Sequence, residues 1–248
     1  MQGDARSVSH IAHCHSCPLQ SRPEEATSST SLYYSGFLGA YTKPVDHFAM
    51  RPTAQFLLSA LSAAQFPALG APEVAFLGRS NVGKSSLLNA LVGAAAARVS
   101  STPGRTRAIN FFLVAEQRPA RKIVFADLPG YGYAKISKSI SSTWPSFIEP
   151  YLADRPTLRV CVCLVDANVP SQTSDHQLLD WLRSQGRDFI VVATKVDRLS
   201  GNERTRNLAA LRKALELEEI LPVSAKTGNG IKELWSRLET SCSANGKD

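Results

Sequence analysis

The fold of this chain is decided by the stretch Gly78-Arg79-Ser80-Asn81-Val82-Gly83-Lys84-Ser85-Ser86. An apolar run at residues 74–78 leads into it and a second run, Leu87–Leu91, leads out of it, so the local order is strand, glycine loop and helix. The spacing G-x-x-x-x-G-K-S is typical of a phosphate-binding loop. Its backbone N–H groups curl around a polyphosphate, and the N-terminus of the helix faces the same anion. We therefore predict a nucleotide site along this stretch.

Two side chains of the loop have predicted roles. Lys84 is placed to reach the β and γ phosphates, and the Ser85 hydroxyl is placed to ligate Mg²⁺. The competing interpretation is an ordinary strand-to-helix turn that contains two glycines and a lysine, but the flanking strand and helix favour the nucleotide site. The predicted nucleotide contacts in this stretch are Gly78, Arg79, Ser80, Asn81, Val82, Gly83, Lys84, Ser85 and Ser86.

The composition bounds the class of protein. The 248 residues suffice for one ordinary domain plus an appendage, and no apolar run reaches the 18 or more residues of a membrane span. The net charge is +7, and residues 51–248 hold 25 Lys and Arg against 17 Asp and Glu. This basic surplus favours a polyanionic partner, meaning RNA or a ribosome more than a membrane, although many unrelated domains carry such a charge.

Residues 1–48 form a predicted N-terminal extension that is disordered or serves targeting. They show no sustained periodicity and are rich in Ser and Thr, most densely at Thr27–Ser31. We expect a cytoplasmic protein, or a mitochondrial or plastid one if the extension is a transit peptide. The segment His13–Cys17 has metal-binding residue types but no second ligand pair at zinc-site spacing. A folded domain is predicted at residues 49–242 and a short polar tail at 243–248.

Hydrophobic periodicity predicts the elements on both sides of the loop. Before the loop, apolar residues recur at helical spacing and predict a short helix; they are Phe56, Leu57, Ala60, Leu61 and Ala64. The elements predicted next are a strand at Glu73–Gly78, a helix from Lys84 to Ala95, and an antiparallel hairpin formed by Ala108–Ala115 and Arg121–Asp127.

In the second half of the chain, strands alternate with helices. A helix is predicted near Phe147–Leu152, followed by strands at 158–166, 189–194 and 220–224 and helices at 172–185, 203–215 and 230–240. This alternation predicts an α/β fold with a six-stranded, mostly parallel sheet, one antiparallel edge pair and helices on both faces. A ligand is then expected at the carboxyl ends of the strands.

Three further stretches follow predicted strands at that edge. In Asp127-Leu128-Pro129-Gly130 the aspartate can hold a Mg²⁺-bound water, and the glycine N–H can touch a γ-phosphate. In Thr194-Lys195-Val196-Asp197 the carboxylate can accept hydrogen bonds from guanine N1 and N2, a pair of donors that adenine lacks. A backbone N–H of Ser224-Ala225-Lys226 can meet the guanine carbonyl.

Each of these stretches is weak evidence alone, because ordinary strand exits contain the same residue types. Their order is informative: the phosphate loop, then Pro103-Gly104-Arg105-Thr106, then the other three, as in a translation-factor-like GTPase. Together they favour GTP over ATP. The predicted contacts outside the phosphate loop are Gly104, Arg105, Thr106, Asp127, Leu128, Pro129, Gly130, Thr194, Lys195, Asp197, Ser224, Ala225 and Lys226.

From about Pro52 to Thr240 the chain resembles the EngB family of ribosome-biogenesis GTPases. The stretches that carry the resemblance are Gly78–Asn89, Thr102–Thr106 with Ile109–Phe112, and Asp127–Ala134. The last of them, Asp-Leu-Pro-Gly-Tyr-Gly-Tyr-Ala, is close to diagnostic, and Thr194 in place of the usual Asn also matches the family. The chain departs from the compact bacterial form in its first 48 residues, and Leu164–Asn168 followed by Val169-Pro170 matches more loosely.

The resemblance implies a Ras-like phosphate-loop GTPase fold and roles for particular residues. Ser85 and Thr106 would bind Mg²⁺, Asp127 would stand behind a metal-bound water, and Asp197 would bind the base. Lys84, Thr106 and Gly130 are the candidate catalytic residues. The resemblance further implies a GTP-dependent switch in assembly of the large ribosomal subunit, with a link to cell division and septation in bacterial relatives.

The sequence supports two interpretations of the activity. One is an enzyme that hydrolyses GTP and thereby times the release of a ribosomal precursor; the other is a non-enzymatic, septin-like scaffold that uses GTP to hold one shape. Tyr131 stands where Ras-type proteins keep a water-orienting Gln, so slow intrinsic hydrolysis is expected. Asn81 either helps to hold a potassium ion beside the phosphates or only shapes the loop.

The expected partners are GTP or GDP and the large ribosomal subunit or its rRNA. No DNA partner is expected, and the chain is expected to be a monomer. Basic residues that flank Thr106 or follow Tyr133 are predicted to face RNA; they are Arg98, Arg105, Arg107, Lys135 and Lys138.

Overall fold

A seven-stranded sheet forms the centre of the molecule. The computed structural model describes residues 52–93, 108–117, 120–131 and 146–243. The strands are β1 (Thr53–Ala60), β2 (Glu73–Gly78), β3 (Ile109–Gln117), β4 (Ala120–Asp127), β5 (Leu158–Asp166), β6 (Phe189–Thr194) and β7 (Leu221–Pro222). The helices are α1 (Lys84–Val92), α2 (Ile148–Asp154), α3 (Thr173–Ser184), α4 (Gly201–Ala214) and α5 (Ile231–Ser243).

The strand order in the sheet is β1-β3-β4-β2-β5-β6-β7. The pairs β1–β3 and β3–β4 are antiparallel, and all other neighbouring strands are parallel. The parallel strands are fed by helices that cross over the faces of the sheet, as expected for an α/β fold. The carboxyl ends of β2, β4, β5 and β6 therefore lie along one edge, where the predicted nucleotide motifs begin.

Two apolar layers cover the sheet. One layer contains the buried side chains of α1 and α5, including Leu91 and Leu238. The other contains those of α2, α3 and α4, including Tyr151, Leu178 and Leu211. Because both faces are covered, the central strands are mostly buried, and every residue of β2 is buried. Within the described residues, no helix has the length and apolar character needed to cross a membrane.

The predicted helix before the phosphate loop is wrong. Residues Thr53–Ala60 form the edge strand β1, paired with β3, and only a 3₁₀ turn follows at Ala63–Gln65. The pairing shifts in register between Phe56 and Leu58, and this bulge breaks the alternation that marks a strand. The added strand also explains why the sheet has seven strands rather than six and two antiparallel pairings rather than one.

Several element boundaries differ from the prediction, most clearly those of α1 and β7. Helix α1 ends at Val92 rather than Ala95, because Gly93 adopts a left-handed conformation with φ of 67° and terminates the helix. Strand β7 has only two residues, Leu221–Pro222, instead of the five predicted. Proline has no N–H to donate, which limits how far a ladder can continue through it.

A tryptophan joins the first and last helices of the domain. Trp235 Nε1 of α5 donates to the carbonyl oxygen of Leu91 at 2.8 Å. Leu91 lies in the last turn of α1, where carbonyl groups have no partner within the helix. The indole therefore caps the C-terminal end of α1 while its ring packs in the core.

A second buried network lies at the amino end of β2, opposite the phosphate loop. Glu73 is buried, and its carboxylate accepts hydrogen bonds from Tyr151 Oη at 2.9 Å, Arg155 Nε at 2.9 Å and Thr157 Oγ1 at 2.7 Å. The charge of Glu73 is thus matched by Arg155, as a buried carboxylate requires. This network ties α2 and the segment after it to the central strand.

Candidate nucleotide-binding site

The phosphate loop leaves β2 at Gly78 and enters α1 at Lys84, as predicted. Asn81 and Gly83 both have left-handed backbone conformations, with φ of 67° and 107°. Asparagine tolerates such a conformation, whereas the value at Gly83 strongly favours glycine. At Gly78 a Cβ atom would lie 2.7 Å from Val82 Cγ1, so the turn requires glycine for a different reason, namely space.

Lys84 and Asp127 are in direct contact at the base of the loop. The Lys84 ammonium forms an ion pair with the Asp127 carboxylate, and both side chains are largely buried. Asp127 ends β4, and it reaches Lys84 because β4 lies beside β2, with Asp127 opposite Phe76. Ser85 follows in the first turn of α1 and is partly exposed. The structure therefore brings together the cation predicted to bind phosphate, the predicted metal hydroxyl and the carboxylate.

The segment after β4 packs directly on the phosphate loop. Ser80 N donates to Tyr131 O at 3.2 Å, and Tyr131 N donates to Gly78 O at 3.4 Å. A Cβ atom at Gly130 would lie 3.0–3.2 Å from three atoms of Ser80, so the close approach of these two segments depends on glycine. The Leu128 side chain is fully buried, which leaves only its backbone to face a ligand.

Thr194 and Lys195 tie the end of β6 to the same loop. Thr194 Oγ1 donates to Val82 O at 2.7 Å, and Lys195 Nζ donates to Asn81 O at 2.7 Å. Two carbonyl groups of the phosphate loop thus accept hydrogen bonds from the last residue of β6 and from the residue after it. Thr194, which stands where most GTPases have Asn, therefore has a structural role, because its hydroxyl holds the phosphate loop.

The side chains of Asp197 and Ser224, which belong to the two segments predicted to bind the base, are hydrogen-bonded to each other. Ser224 Oγ donates to Asp197 Oδ1 at 2.6 Å. This hydrogen bond, helped by Lys226 and Arg198, lowers the pKa of Asp197 below its ordinary value and keeps the carboxylate ionised. Ser224 N donates to Asn229 O at 2.9 Å, so its N–H is already used. Ala225 and Lys226 are left to supply the N–H predicted to meet the guanine carbonyl.

Two residues of the site escaped prediction, Asp166 and Asn168. Asp166 Oδ2 accepts from Lys195 Nζ at 2.7 Å, and Asn168 Nδ2 donates to Asp166 Oδ1 at 2.9 Å and to Lys195 O at 3.2 Å. Burial disfavours the ionised form of Asp166, but the hydrogen bonds from Lys195 and Asn168 outweigh it, and the pKa lies below the ordinary value. The signal that could have found Asp166 is its position at the carboxyl end of β5, next to β6.

The side chain of Tyr131 points into the core. It is 2% exposed, and its hydroxyl donates to Asp175 Oδ1 of α3 at 3.2 Å. Burial, together with the nearby Asp175, raises the pKa of Tyr131 well above its ordinary value, so the hydroxyl keeps its proton. The predicted contacts Gly104, Arg105 and Thr106 lie outside the described residues, as do Arg98, Arg107, Lys135 and Lys138.

The family model for 50S ribosome-binding GTPases matches residues 73–195, which run from the start of β2 to the lysine that binds the phosphate loop. The GTP-binding protein EngB of Acidobacterium capsulatum is 62% identical over 186 residues, covering 74% of this chain and 88% of that protein. The corresponding protein of Koribacter versatilis is 56% identical over 190 residues, covering 76% of this chain and 94% of that protein.

The fold agrees with these relatives. A crystal structure of a GTP-binding protein engB superposes with a TM-score of 0.55 at 24% sequence identity, covering 70% of this chain and 100% of that chain. At this identity the superposition shows a shared fold. With the sequence identities above, which extend over most of both proteins, the conclusion is direct: the chain belongs to the EngB family of GTP-binding proteins, and its nucleotide domain is a phosphate-loop GTPase domain.

Proposed function

We propose that this chain is a slowly hydrolysing GTPase that acts as a switch in assembly of the large ribosomal subunit. The observation that carries the choice of nucleotide is the Asp197–Ser224 pair. Its ionised carboxylate is exposed beside the loop 224–226, and Lys195 and Thr194 tie its strand to the phosphate loop. These hydrogen bonds support the proposal, because they connect the segment proposed to bind the base with the loop proposed to bind the phosphates.

Magnesium is proposed to be bound by Ser85 and Thr106 directly and by Asp127 through water. The donors fit this ion, because Mg²⁺ prefers oxygen ligands and uses few protein groups when a polyphosphate supplies the others. When bound, it would neutralise charge that develops on the phosphate oxygens. Among the described candidates, Ser85 is partly exposed at the start of α1, and Asp127 lies within ion-pair contact of Lys84.

Two variants test these phosphate and metal roles. Lys84→Ala is expected to weaken binding of both GDP and GTP, because it removes the cation beside the β and γ phosphates. Ser85→Ala is expected to remove the dependence of affinity on Mg²⁺. Fluorescent-nucleotide titration with Mg²⁺ and with a chelator measures both; a Ser85→Ala protein that matches the parent in both buffers contradicts the metal role.

Slow intrinsic hydrolysis is supported by the position of Tyr131. Its hydroxyl is committed to Asp175 inside the core, so this side chain does not orient an attacking water as a glutamine does. Multiple-turnover GTP hydrolysis, alone and with large ribosomal subunits, tests the proposal. Turnover that rises with subunits supports a switch, whereas tight GTP binding without turnover in either condition supports the septin-like scaffold.

Potassium is a proposed activator, with Asn81 as its candidate ligand. The left-handed backbone of Asn81 and the hydrogen bond to its carbonyl from Lys195 agree equally with a residue that only shapes the loop. GTP turnover in matched potassium and sodium salts separates the two roles. Potassium stimulation that disappears in Asn81→Ala supports the ion site, and equal rates in both salts support the structural role.

The proposed partner and location rest on sequence as well as on charge. The basic surplus of residues 51–248 supports binding to rRNA, and charge reversal at Lys135 and Lys138 is proposed to weaken cosedimentation with large subunits.

The N-terminal extension is proposed to decide whether the protein is located in the cytoplasm or in an organelle. Fluorescent tagging of the full chain and of a chain starting near Arg51 tests this, because only a targeting segment makes the two locations differ.

A further inference from the structure

One buried carboxylate joins three segments around the phosphate loop. Asp175 is 1% exposed, and its Oδ1 accepts from Tyr131 Oη at 3.2 Å and lies 3.2 Å from Arg79 Nε. Among the described residues Arg79 Nε has no hydrogen-bond partner, so its attraction to Asp175 is ionic. Arg79 belongs to the phosphate loop, and Tyr131 belongs to the segment after β4.

Asp175 is itself fixed by the helix that carries it. Its second oxygen, Oδ2, accepts from Gln172 N at 3.0 Å, at the start of α3. Both oxygens are therefore engaged, one with the helix and one with the nucleotide site. A carboxylate held in this way cannot follow Tyr131 if that residue moves, so it acts as a fixed anchor.

The anchor acts on Gly130, a residue predicted to contact the nucleotide. Gly130 is exposed and immediately precedes Tyr131, and its backbone lies against Ser80. With the Tyr131 ring buried and its hydroxyl bonded to Asp175, the peptide on either side of Gly130 has little freedom to rotate. The orientation of the Gly130 N–H relative to the phosphate loop is therefore set from inside the core.

We propose that Asp175 is a positioning residue for the γ-phosphate: through Tyr131 and Arg79 it holds Gly130 against the phosphate loop, and so it sets the preference for GTP over GDP and the rate of hydrolysis. This inference rests on the proposed GTPase function. Asp175 and Tyr131 touch no reacting atom in this scheme; they act through Gly130.

The test compares two tyrosine-to-phenylalanine variants. Tyr131→Phe keeps the buried ring and removes only the hydroxyl that binds Asp175. Tyr151→Phe is the matched control, because Tyr151 is equally buried and its hydroxyl also donates to a buried carboxylate, Glu73, at 2.9 Å and at the opposite edge of the sheet. Among the described residues, each variant removes a hydrogen bond from a tyrosine hydroxyl to a buried carboxylate, so each is expected to be destabilised to a similar degree.

The measured quantities are affinities for GDP and for a non-hydrolysable GTP analogue, the hydrolysis rate, and urea unfolding. Tyr131→Phe is expected to lower the ratio of GTP-analogue to GDP affinity about 5- to 10-fold, because the hydrogen bond that positions Gly130 is lost. It is expected to lower kcat by a similar factor. Tyr151→Phe is expected to leave the ratio and kcat unchanged. Asp175→Asn keeps a single oxygen, which can accept from Tyr131 or from Gln172 N but not from both, and it loses the charge toward Arg79. Its affinity ratio is expected to fall between those of the two tyrosine variants.

An unchanged affinity ratio in both Tyr131→Phe and Asp175→Asn overturns the proposal, as does an equal fall in Tyr131→Phe and Tyr151→Phe. The affinity ratio needs no turnover. If the parent binds the GTP analogue but does not hydrolyse GTP, the enzymatic function fails while the positioning role is still decided by the ratio.

Discussion

Asp197 is the residue proposed to select the base, and a neighbour controls its geometry. Ser224 Oγ binds one carboxylate oxygen of Asp197, and Thr227 N in turn donates to Ser224 Oγ at 3.1 Å. The carboxylate is therefore oriented before a nucleotide arrives, which reduces the entropy lost on binding. The same arrangement also keeps it ionised, because the hydrogen bond lowers its pKa.

The first prediction at this scale concerns Asp197→Asn. The substitution exchanges an acceptor for a donor opposite guanine N1 and N2, so GTP affinity is expected to fall about 100-fold, or about 2–3 kcal/mol, while affinity for xanthine nucleotides rises. Titration with both nucleotides checks it. Ser224→Ala, which releases the carboxylate and also removes the acceptor of the Thr227 N–H, is expected to lose about 5-fold in GTP affinity. Parent-like GTP affinity in Asp197→Asn would refute the assignment.

The second prediction concerns the stability contributed by Asp166. Its pKa in the folded protein lies below the ordinary value of 3.8, so its contribution is present above pH 3.8 and is lost as the pH falls through the folded value. Asp166→Asn is expected to lower the free energy of unfolding by about 1–3 kcal/mol at pH 7. The difference from the parent should shrink below pH 4.

Urea unfolding at pH 7, 5, 4 and 3 measures this difference. Asp180→Asn is the control, because the pair of Asp180 with Arg183 lies on the surface, where Asp180 is 69% exposed and ion pairs contribute little. A difference between parent and Asp166→Asn that stays constant down to pH 3 would show that the ionised carboxylate is not the source of the stability.

At the residue scale, the residues that could be predicted are those that lie within short sequence motifs. The phosphate loop, Asp127 and Asp197 lie within short motifs whose spacing carries their chemistry, and the structure places them at one edge of the sheet. Asp175 gave no such signal, because an aspartate three residues into a helix is common as a capping group. Its link to Tyr131 arises only when α3 packs on the sheet, 44 residues along the chain from Tyr131.

At the scale of elements, buried strands could be predicted from the sequence and the half-exposed edge strand could not. The strands β5 and β6 are mainly apolar and mostly buried, and their predicted bounds agree with the structure. β1 was missed because it is an edge strand with a bulge, so half-buried residues fall side by side at Leu57 and Leu58. Its pairing with β3, rather than its own periodicity, makes it a strand.

The third prediction concerns the junction of α1 and α5. Trp235→Phe removes the hydrogen bond to the Leu91 carbonyl and leaves that buried acceptor without its partner, so the free energy of unfolding is expected to fall by about 2–3 kcal/mol. Chemical denaturation measures the loss. Trp181→Phe on α3, where the indole is only half buried, is the control and is expected to cost less than about 1 kcal/mol. Equal losses would contradict the capping role of Trp235.

At the scale of the whole molecule, the positive charge of the described residues is unevenly spread. Residues 198–214, which include α4, carry five cations and one carboxylate, Glu203. The cations are Arg198, Arg204, Arg206, Arg212 and Lys213, and in the part of the chain that the structure describes none of them forms an ion pair. Helix α4 is mostly exposed, so this charge is available to a polyanion.

The fourth prediction follows from this distribution and from the proposed rRNA partner. Arg206→Glu is expected to weaken binding to large ribosomal subunits and to reduce its dependence on salt, because fewer counterions are released from phosphates. Cosedimentation over a salt series measures both effects. Lys232→Glu on α5 makes the same charge change on another exposed position; equal effects of the two variants would indicate net charge rather than a basic face.

The hydrogen bond between Trp235 and Leu91 also has a consequence for synthesis on the ribosome. The two residues are 144 positions apart, and at roughly 5–20 residues per second the indole is made about 7–30 s after the carbonyl that it caps. During that interval the phosphate loop and its helix already exist, but the α1 end has no indole partner and one face of the sheet lacks its second helix. The packing that supports the nucleotide site is therefore completed only after α5 has been synthesised.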